Sequence, residues 1–216
     1  MPIYSLSSEN KRLNIVHPHI PKTAGTAIAD FFRKIGCQVC FGDENMHIRS
    51  LMRCPPQHYD YQILDMLFLI EKADYSFVVV RNPFNRIKSD YMWAMTKSTM
   101  AGSDISFDEW AAYLFDNYKS NPYILANHIK PQHLFTGPKI KNVFKYEDGL
   151  EKIMNTVLSS IGLTTDEEIS LQRINTSDDF HEKFPDKLTM NNKTMNRIID
   201  FYRRDFDLFG YNPDDC

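Results

Sequence analysis

Apolar and polar positions alternate along the chain with two different spacings. Short apolar runs rich in β-branched and aromatic residues predict strands at 13–20, 36–41, 75–80 and 142–148. Apolar residues three or four positions apart predict helices at 24–35, 61–73, 107–118, 150–162 and 193–207, and another that begins at Pro83. Predicted strands and helices therefore alternate over much of the chain.

Local start and stop signals support several of these elements. The run at 75–80 is apolar without a break, which is typical of a strand buried on both faces of a parallel sheet. Pro83 suits the first position of a helix, Ser106 and Glu109 have the spacing of a capping box, and Gly162 suits a helix end. The pattern predicts a three-layer, P-loop-like α/β fold with a central, mostly parallel sheet flanked by helices.

No repeat, linker or shift in composition divides the 216 residues, so one domain spanning 1–216 is expected. Lys and Arg number 25 against 28 Asp and Glu, a formal net charge of −3, which disfavours non-specific nucleic-acid binding. The N-terminal residues lack the apolar segment of a leader peptide, and the longest apolar runs are too short to span a membrane. A soluble, cytoplasmic protein with no membrane span is expected.

The four cysteines form no dense disulfide pattern, which favours free thiols. A zinc site that combines Cys37 and Cys40 with His47, Cys54 or His58 is the alternative. The spacing of these residues is irregular and no second ligand pair follows, so we expect no metal.

The turn Pro21-Lys22-Thr23-Ala24-Gly25-Thr26 joins the first of these predicted strands to the helix that follows. Such a turn leaves backbone N–H groups unpaired at the positive end of a helix, where an anion binds well. Gly25 permits close backbone approach, Thr23 and Thr26 supply hydroxyl donors, and Lys22 supplies a charge. Phosphate or sulfate is the expected ligand, and a simple capped helix start is the alternative. The Walker pattern is absent, which disfavours an ATP or GTP hydrolase.

A second candidate anion site follows the strand at 75–80. Arg81 stands at the carboxyl end of that strand, where ligands collect in open α/β sheets. Arg86 and Ser89 share one face of the next helix, away from its apolar stripe. Arg81 could hold a phosphate through its guanidinium while Ser89 donates a hydroxyl. The alternative is that Arg81 pairs with a carboxylate and Ser89 is a surface residue.

Together the two motifs resemble those of a known family. The segments "PKTAGT" and "VRNPFNRIKSDY" resemble the 5′-phosphosulfate loop and the 3′-phosphate motif of sulfotransferases that use 3′-phosphoadenosine 5′-phosphosulfate (PAPS). The carbohydrate branch that includes heparan sulfate 2-O-sulfotransferase is the most similar in character. Weaker resemblances at "HIKPQ", "FKYEDG", "RINTS" and "FYRRDFDLFGY" extend the likeness over about residues 13–211.

The resemblance implies roles for the residues of both motifs. Those expected to hold PAPS are Lys22, Thr23, Ala24, Gly25 and Thr26 at the 5′-phosphosulfate, and Arg81 and Ser89 at the 3′-phosphate. The implied reaction moves the sulfuryl group of PAPS to an acceptor hydroxyl on a small molecule, carbohydrate or glycolipid, and releases 3′,5′-ADP. Lys22 is expected to stabilise the charge that grows on the leaving oxygen, and no metal is required.

The acceptor hydroxyl must lose its proton, and histidine is the side chain best suited to take it near neutral pH. In the family that this chain resembles, a catalytic histidine precedes the 3′-phosphate arginine at a spacing that His58 matches. His58 is therefore the expected base. His47, Glu44 and Asp43 are further candidates, followed by His128.

Two other function classes stay open. One is a P-loop-like nucleotide or small-molecule kinase, which would need a Walker loop and magnesium ligands that the sequence does not show. The other is a non-catalytic module that binds the nucleotide without turnover. Aromatic residues suited to stacking on a sugar acceptor are Tyr59, Trp93, Trp110, Tyr113 and Tyr118.

Overall fold

A computed structural model of the protein describes residues 3–8, 11–42, 51–98, 100–163 and 188–215. Its strands are β1 (Ile3–Ser8), β2 (Lys11–Val16), β3 (Gln38–Cys40), β4 (Tyr75–Val80) and β5 (Asn142–Lys145). Its α-helices are α1 (Gly25–Lys34), α2 (Tyr61–Leu67), α3 (Pro83–Lys97), α4 (Phe107–Tyr118), α5 (Leu150–Ser160), α6 (Asn192–Phe201) and α7 (Arg203–Phe209). Short 3-10 turns lie between them, among them Pro56–His58, Ile124–Asn127 and Gln132–Phe135.

The described strands form one sheet in the order β3-β1-β2-β4-β5. β2 pairs parallel with β4, and β4 pairs parallel with β5, whereas β1 runs antiparallel to both of its neighbours. The sheet is therefore mixed, and a mostly parallel sheet is not confirmed. β1 ends at Ser8 and β2 begins at Lys11, and so short a connection permits only antiparallel pairing. The sequence pattern does not identify β1.

Helices cover both faces of the sheet, and β4 is therefore buried along its whole length. Phe77 and Val79 point to the side where α1 and α5 pack, together with β2 residues such as Ile15. Val78 and Val80 point to the opposite side and pack with residues of α2 and α7. This arrangement is an α/β fold with the three expected layers.

A separate apolar cluster joins α3, α4, α6 and α7 beside the sheet, with Tyr91, Trp110 and Tyr202 at its centre. The pattern predicts a single last helix at 193–207. Two helices are observed because the backbone of Tyr202 leaves helical geometry, at φ −104° and ψ 16°. The hydroxyl of Tyr202 donates to the carbonyl of Ile129 at 2.7 Å. The helix predicted at 61–73 is shorter than expected and ends at Leu67. In the described ranges, no helix is both long and apolar enough to cross a membrane.

The parallel strands place their carboxyl ends at one edge of the sheet. The turn that leads to α1 follows β2, Arg81 follows β4, and Tyr146 follows β5. Segments distant in sequence therefore meet at this edge, where ligands bind in open α/β sheets.

Candidate active site

The turn between β2 and α1 leaves the start of the helix open. Lys22 and Ala24 both adopt left-handed backbone geometry, with φ of 69° and 66°, although neither is glycine. Ala24 is the N-cap residue and provides no side-chain cap. The backbone N–H groups of Gly25, Thr26 and Ala27 have no acceptor within the part of the chain that the structure describes. The positive end of α1 can therefore receive an anion.

Two residues of this turn act within the protein itself. Thr23 is fully buried, and its hydroxyl donates to the carbonyl of Ile20 at 2.8 Å. The hydroxyl that was expected to donate to a bound anion therefore forms a hydrogen bond within the turn. Gly25 packs against His19 so closely that a Cβ atom would lie 2.1 Å from two atoms of the imidazole. Glycine is required here by this close approach, and not by an unusual φ angle.

Arg81 links the two candidate motifs. Its backbone N–H and carbonyl pair with the side-chain amide of Gln132, at 2.9 and 2.8 Å. Its Nη1 donates to the carbonyl of Lys22 at 3.2 Å, and its guanidinium lies 4.5 Å from the ring centroid of Tyr146. Its Nε is buried and has no partner among the described residues. The residue as a whole is only partly buried and lines a cavity, so its guanidinium can meet a ligand there.

Arg86 and Ser89 on α3 have different environments. Arg86 is 1 % exposed and donates to the carbonyls of His128 and Lys130, at 2.8 and 3.0 Å. Arg86 is nevertheless enclosed, because these carbonyls and the ring of Tyr202, 5.1 Å from the guanidinium, cover it. Ser89 is 9 % exposed and faces a cavity.

This cavity, which we call the central cleft, has a volume of about 230 Å³. Its lining includes six of the seven predicted PAPS-binding residues, namely Lys22, Ala24, Gly25, Thr26, Arg81 and Ser89. Thr23 is the seventh and lies beneath the turn. The predicted base His58 lines the cleft as well, together with His19, Gln57, Trp93, His128 and Tyr146. The structure therefore brings both motifs and the predicted histidine into one cleft.

A second opening, the side cavity, shares Arg81 and Tyr146 with the central cleft and has a volume of about 550 Å³. Glu147 also lines it. The Glu147 carboxylate accepts from the backbone N–H of Asn82 at 2.8 Å and from the hydroxyl of Tyr211 at 2.9 Å. These bonds join the C-terminal end of the described chain to the carboxyl ends of β4 and β5.

His58 is held at both ring nitrogens. Its Nδ1 lies 3.0 Å from the carbonyl of Ala126, which can only accept, so Nδ1 carries the proton. Its Nε2 lies 3.4 Å from the side-chain nitrogen of Gln57. Burial, and then the neighbouring His128 and His19, hold the pKa of His58 well below its usual value. His58 is therefore a neutral imidazole.

The carbonyl that holds His58 belongs to a turn of unusual backbone geometry. Leu125, Ala126 and Asn127 all have positive φ angles, 49°, 55° and 69°, although none is glycine. The side-chain nitrogen of Asn127 donates to the carbonyl of His58 at 2.9 Å. Left-handed geometry is unfavourable for such residues, and runs of it occur where surrounding contacts enforce it, often at functional sites. Here the turn orients His58.

His128 lies beside His58, with ring centroids 4.9 Å apart. Its Nδ1 is 2.6 Å from Oδ1 of Asp90, a carboxylate that is 1 % exposed, and its ring stacks on Trp93 at 4.7 Å. The remaining candidates for the base, His47, Glu44 and Asp43, lie outside the described residues. No sequence signal indicates a role for Asp90, because its partner is 38 positions away.

The cations of the central cleft are poorly solvated. Burial lowers the pKa of Lys22, Asp90 opposes that effect, and Arg81 adds to it. Burial also lowers the pKa of Arg81. Two desolvated positive groups in one cleft repel each other, and an anion bound between them relieves this cost.

No group of three or more His, Cys, Asp or Glu side chains in the described ranges is arranged to hold a metal ion. The described residues therefore give no support to the alternative zinc site of Cys37 and Cys40. Cys37 packs in the core beside the sheet, whereas Cys54 lies 3.5 Å from the side-chain nitrogen of Asn127.

A family model described as the sulfotransferase family matches residues 9–212. The match covers nearly the whole chain, and the protein therefore belongs to the sulfotransferase family. Comparisons with curated proteins and with solved structures give no match. Membership supports the transfer of a sulfuryl group as the class of reaction.

Proposed function

We propose that the protein is a PAPS-dependent sulfotransferase that modifies a hydroxyl group of a carbohydrate or glycolipid, within one domain spanning 1–216. The observation that carries this proposal is that a single cleft joins the open start of α1 and Lys22 to Arg81 and Ser89. PAPS carries two anionic groups at opposite ends of its ribose, and two linked cationic sites fit that chemistry.

The residues suit the two anionic groups in different ways. The free N–H groups of Gly25, Thr26 and Ala27, with Lys22, suit the 5′-phosphosulfate. Arg81, which lines both cavities, offers its guanidinium to the 3′-phosphate.

Ser89 lies in the same cleft as Arg81 and offers its hydroxyl to the 3′-phosphate. The side cavity continues from Arg81, and Glu147 and Glu151 in its lining disfavour a phosphate there. We assign the uncharged nucleoside part of PAPS to this side cavity.

The chain contributes positioning and charge stabilisation to the reaction. PAPS supplies the sulfuryl group. Lys22 and the helix start stabilise the negative charge on the leaving oxygen, and a cleft imidazole, His58 or His128, takes the proton of the acceptor. A sulfuryl group carries less charge than a phosphoryl group, so a metal clamp is not part of the proposal.

The carbohydrate acceptor rests on the resemblance of both motifs to the branch that includes heparan sulfate 2-O-sulfotransferase. Of the aromatic residues considered for sugar stacking, Trp93 lines the central cleft. Trp110 is fully buried in the helical cluster and is unsuitable. Acceptor specificity is best examined by a screen of glycans with labelled PAPS.

Thermal unfolding with different nucleotides tests the donor. At a concentration of 3′,5′-ADP one hundred times its Kd, binding stabilises the protein by about 2.7 kcal/mol. For a chain of this size, that corresponds to a rise in Tm of roughly 5–10 °C. ATP with Mg²⁺ should give a much smaller rise, and 5′-AMP measures the contribution of the 3′-phosphate. A larger rise with ATP and Mg²⁺ than with 3′,5′-ADP would contradict the proposal and favour a kinase.

A further inference from the structure

The imidazoles of His58 and His128 in the central cleft differ in whether their second nitrogen, Nε2, already has a partner. Both carry their proton on Nδ1, because His58 faces the carbonyl of Ala126 and His128 faces the carboxylate of Asp90. The Nε2 of His58 is already within hydrogen-bonding distance of Gln57, at 3.4 Å. The Nε2 of His128 has no partner in the described part of the chain.

The partner at Nδ1 decides which ring tolerates a second proton. A carboxylate stabilises an imidazolium by a charge-assisted hydrogen bond, whereas a carbonyl offers only a dipole. Oδ2 of Asp90 is buried without a partner among the described residues, and the charge of Asp90 acts on His128 by direct contact and on Lys22 across the cleft. Asp90 is therefore placed to stabilise the charge on His128 when this ring takes a proton during the reaction.

The three rings lie close together, so a charge on one of them opposes a charge on its neighbour. The ring centroid of His58 lies 4.9 Å from that of His128 and 5.3 Å from that of His19. Burial first, and then the neighbouring histidines, hold the pKa values of His19 and His58 well below normal. The charged and titratable groups around His128 are Asp90 of α3, then His58, His19 and Lys22 in the lining of the cleft, and Arg86, which bonds the carbonyl of His128.

We infer that His128, oriented by Asp90, is the general base that removes the proton from the acceptor hydroxyl. This inference rests on the proposed function. His128 Nε2 takes the proton as the acceptor oxygen bonds to sulfur. The electron pair of the breaking sulfur–oxygen bond goes to the phosphate oxygen of 3′,5′-ADP, which Lys22 stabilises. His58 stays neutral and lines the cleft beside the base.

A second Asp–His pair in the chain provides a matched control. Nδ1 of His133 also lies 2.6 Å from a buried carboxylate, that of Asp205, which the backbone N–H groups of Gln132 and His133 also contact. His133 lines neither the central cleft nor the side cavity. An Asp–His pair of this kind can thus be purely structural, and position in the cleft distinguishes His128.

Nitrogen NMR of protein labelled with ¹⁵N-histidine tests the location of the proton without an acceptor. In the presence of 3′,5′-ADP, the neutral rings of His58 and His128 should both carry their proton on Nδ1. Asp90→Asn should move the proton of His128 towards Nε2, because the amide can donate to Nδ1, and it should leave the Nδ1–H form of His58 unchanged. A proton on Nε2 of His128 in the parent, or an unchanged tautomer of His128 in Asp90→Asn, would overturn the inference.

Turnover of PAPS to 3′,5′-ADP, with water or an added methyl glycoside as the hydroxyl donor, tests the role in catalysis. His128→Gln should lower the rate by about 10²–10⁴-fold and abolish its decline at acidic pH. His58→Gln should keep that decline, and His133→Gln should match the parent. Loss of the acidic decline in His58→Gln alone would assign the base to His58. A parent protein that neither binds nor forms 3′,5′-ADP would refute the proposed function, and the tautomers seen by NMR would still test the Asp90–His128 pair.

Discussion

Replacement of Arg81 by methionine should separate recognition of the 3′-phosphate from support of the fold. Methionine keeps an unbranched side chain over Tyr146 but removes the charge and every donor. The backbone pairing of residue 81 with Gln132 involves only main-chain atoms of residue 81 and is retained. The change therefore acts on the side-chain contacts alone.

Two losses are expected from Arg81→Met, and they differ in their dependence on the nucleotide. The bond from Nη1 to the carbonyl of Lys22 is a support for the turn, worth about 0.5–1.5 kcal/mol, and its loss affects any nucleotide. The charge-assisted contact with a 3′-phosphate is worth about 1.5–3 kcal/mol, or roughly ten- to a hundredfold in Kd. Only a ligand with a 3′-phosphate loses the second contribution.

Isothermal titration of the parent and of Arg81→Met with 3′,5′-ADP and 5′-AMP measures both losses. The affinity for 3′,5′-ADP should fall roughly ten- to a hundredfold more than that for 5′-AMP. Lys145→Met is the matched control, because Lys145 is also a cation at the end of a parallel strand, 4.7 Å from the ring of Tyr211, and lines neither cavity. Equal losses for the two nucleotides in Arg81→Met would refute the reasoning and leave Arg81 a purely structural role.

Three further predictions concern the turn and the buried histidines. Gly25→Ala should lower the free energy of unfolding by about 1–3 kcal/mol, because its Cβ would meet the ring of His19, and the double variant with His19→Ala should recover much of this loss in urea denaturation. Lys22→Met should reduce kcat far more than affinity for 3′,5′-ADP, because its contact strengthens as the leaving oxygen gains charge, and steady-state kinetics with calorimetry check this. Burial lowers the pKa of His17 from 6.5 to about 3, so the unfolded chain binds the extra proton and stability falls as pH decreases between these values. His17→Asn should reduce that slope by about 1.4 kcal/mol per pH unit in denaturation curves.

Each of these predictions has an outcome that contradicts it. If His19→Ala does not relieve Gly25→Ala, the destabilisation arises from the backbone and not from the ring. A Lys22→Met protein with equal losses in kcat and in affinity would show that Lys22 binds the donor uniformly. An unchanged pH slope in His17→Asn would show that other groups determine acid sensitivity.

Several elements could be predicted because their causes are local. The strand at Tyr75–Val80 has the predicted bounds, since an unbroken apolar run is typical of a strand buried on both faces. The capping box of Ser106 and Glu109 and the helix start at Pro83 are also confirmed, because each depends only on residues in the first turn of its helix. By contrast, the separation of the last helix at Tyr202 could not be predicted, because the sequence has no proline or glycine at that point.

The sequence by itself determined the family and the two segments that meet in the central cleft, because each motif combines a strand end, a turn and a helix start within a few residues. The tertiary structure alone decided which side chains within the motifs remain available. It directs the hydroxyl of Thr23 into the turn, encloses Arg86 among carbonyls, and pairs Asp90 with His128 across 38 positions. The environments of these side chains depend on desolvation and on hydrogen bonds between distant segments. Both effects arise only when the strands assemble into the sheet.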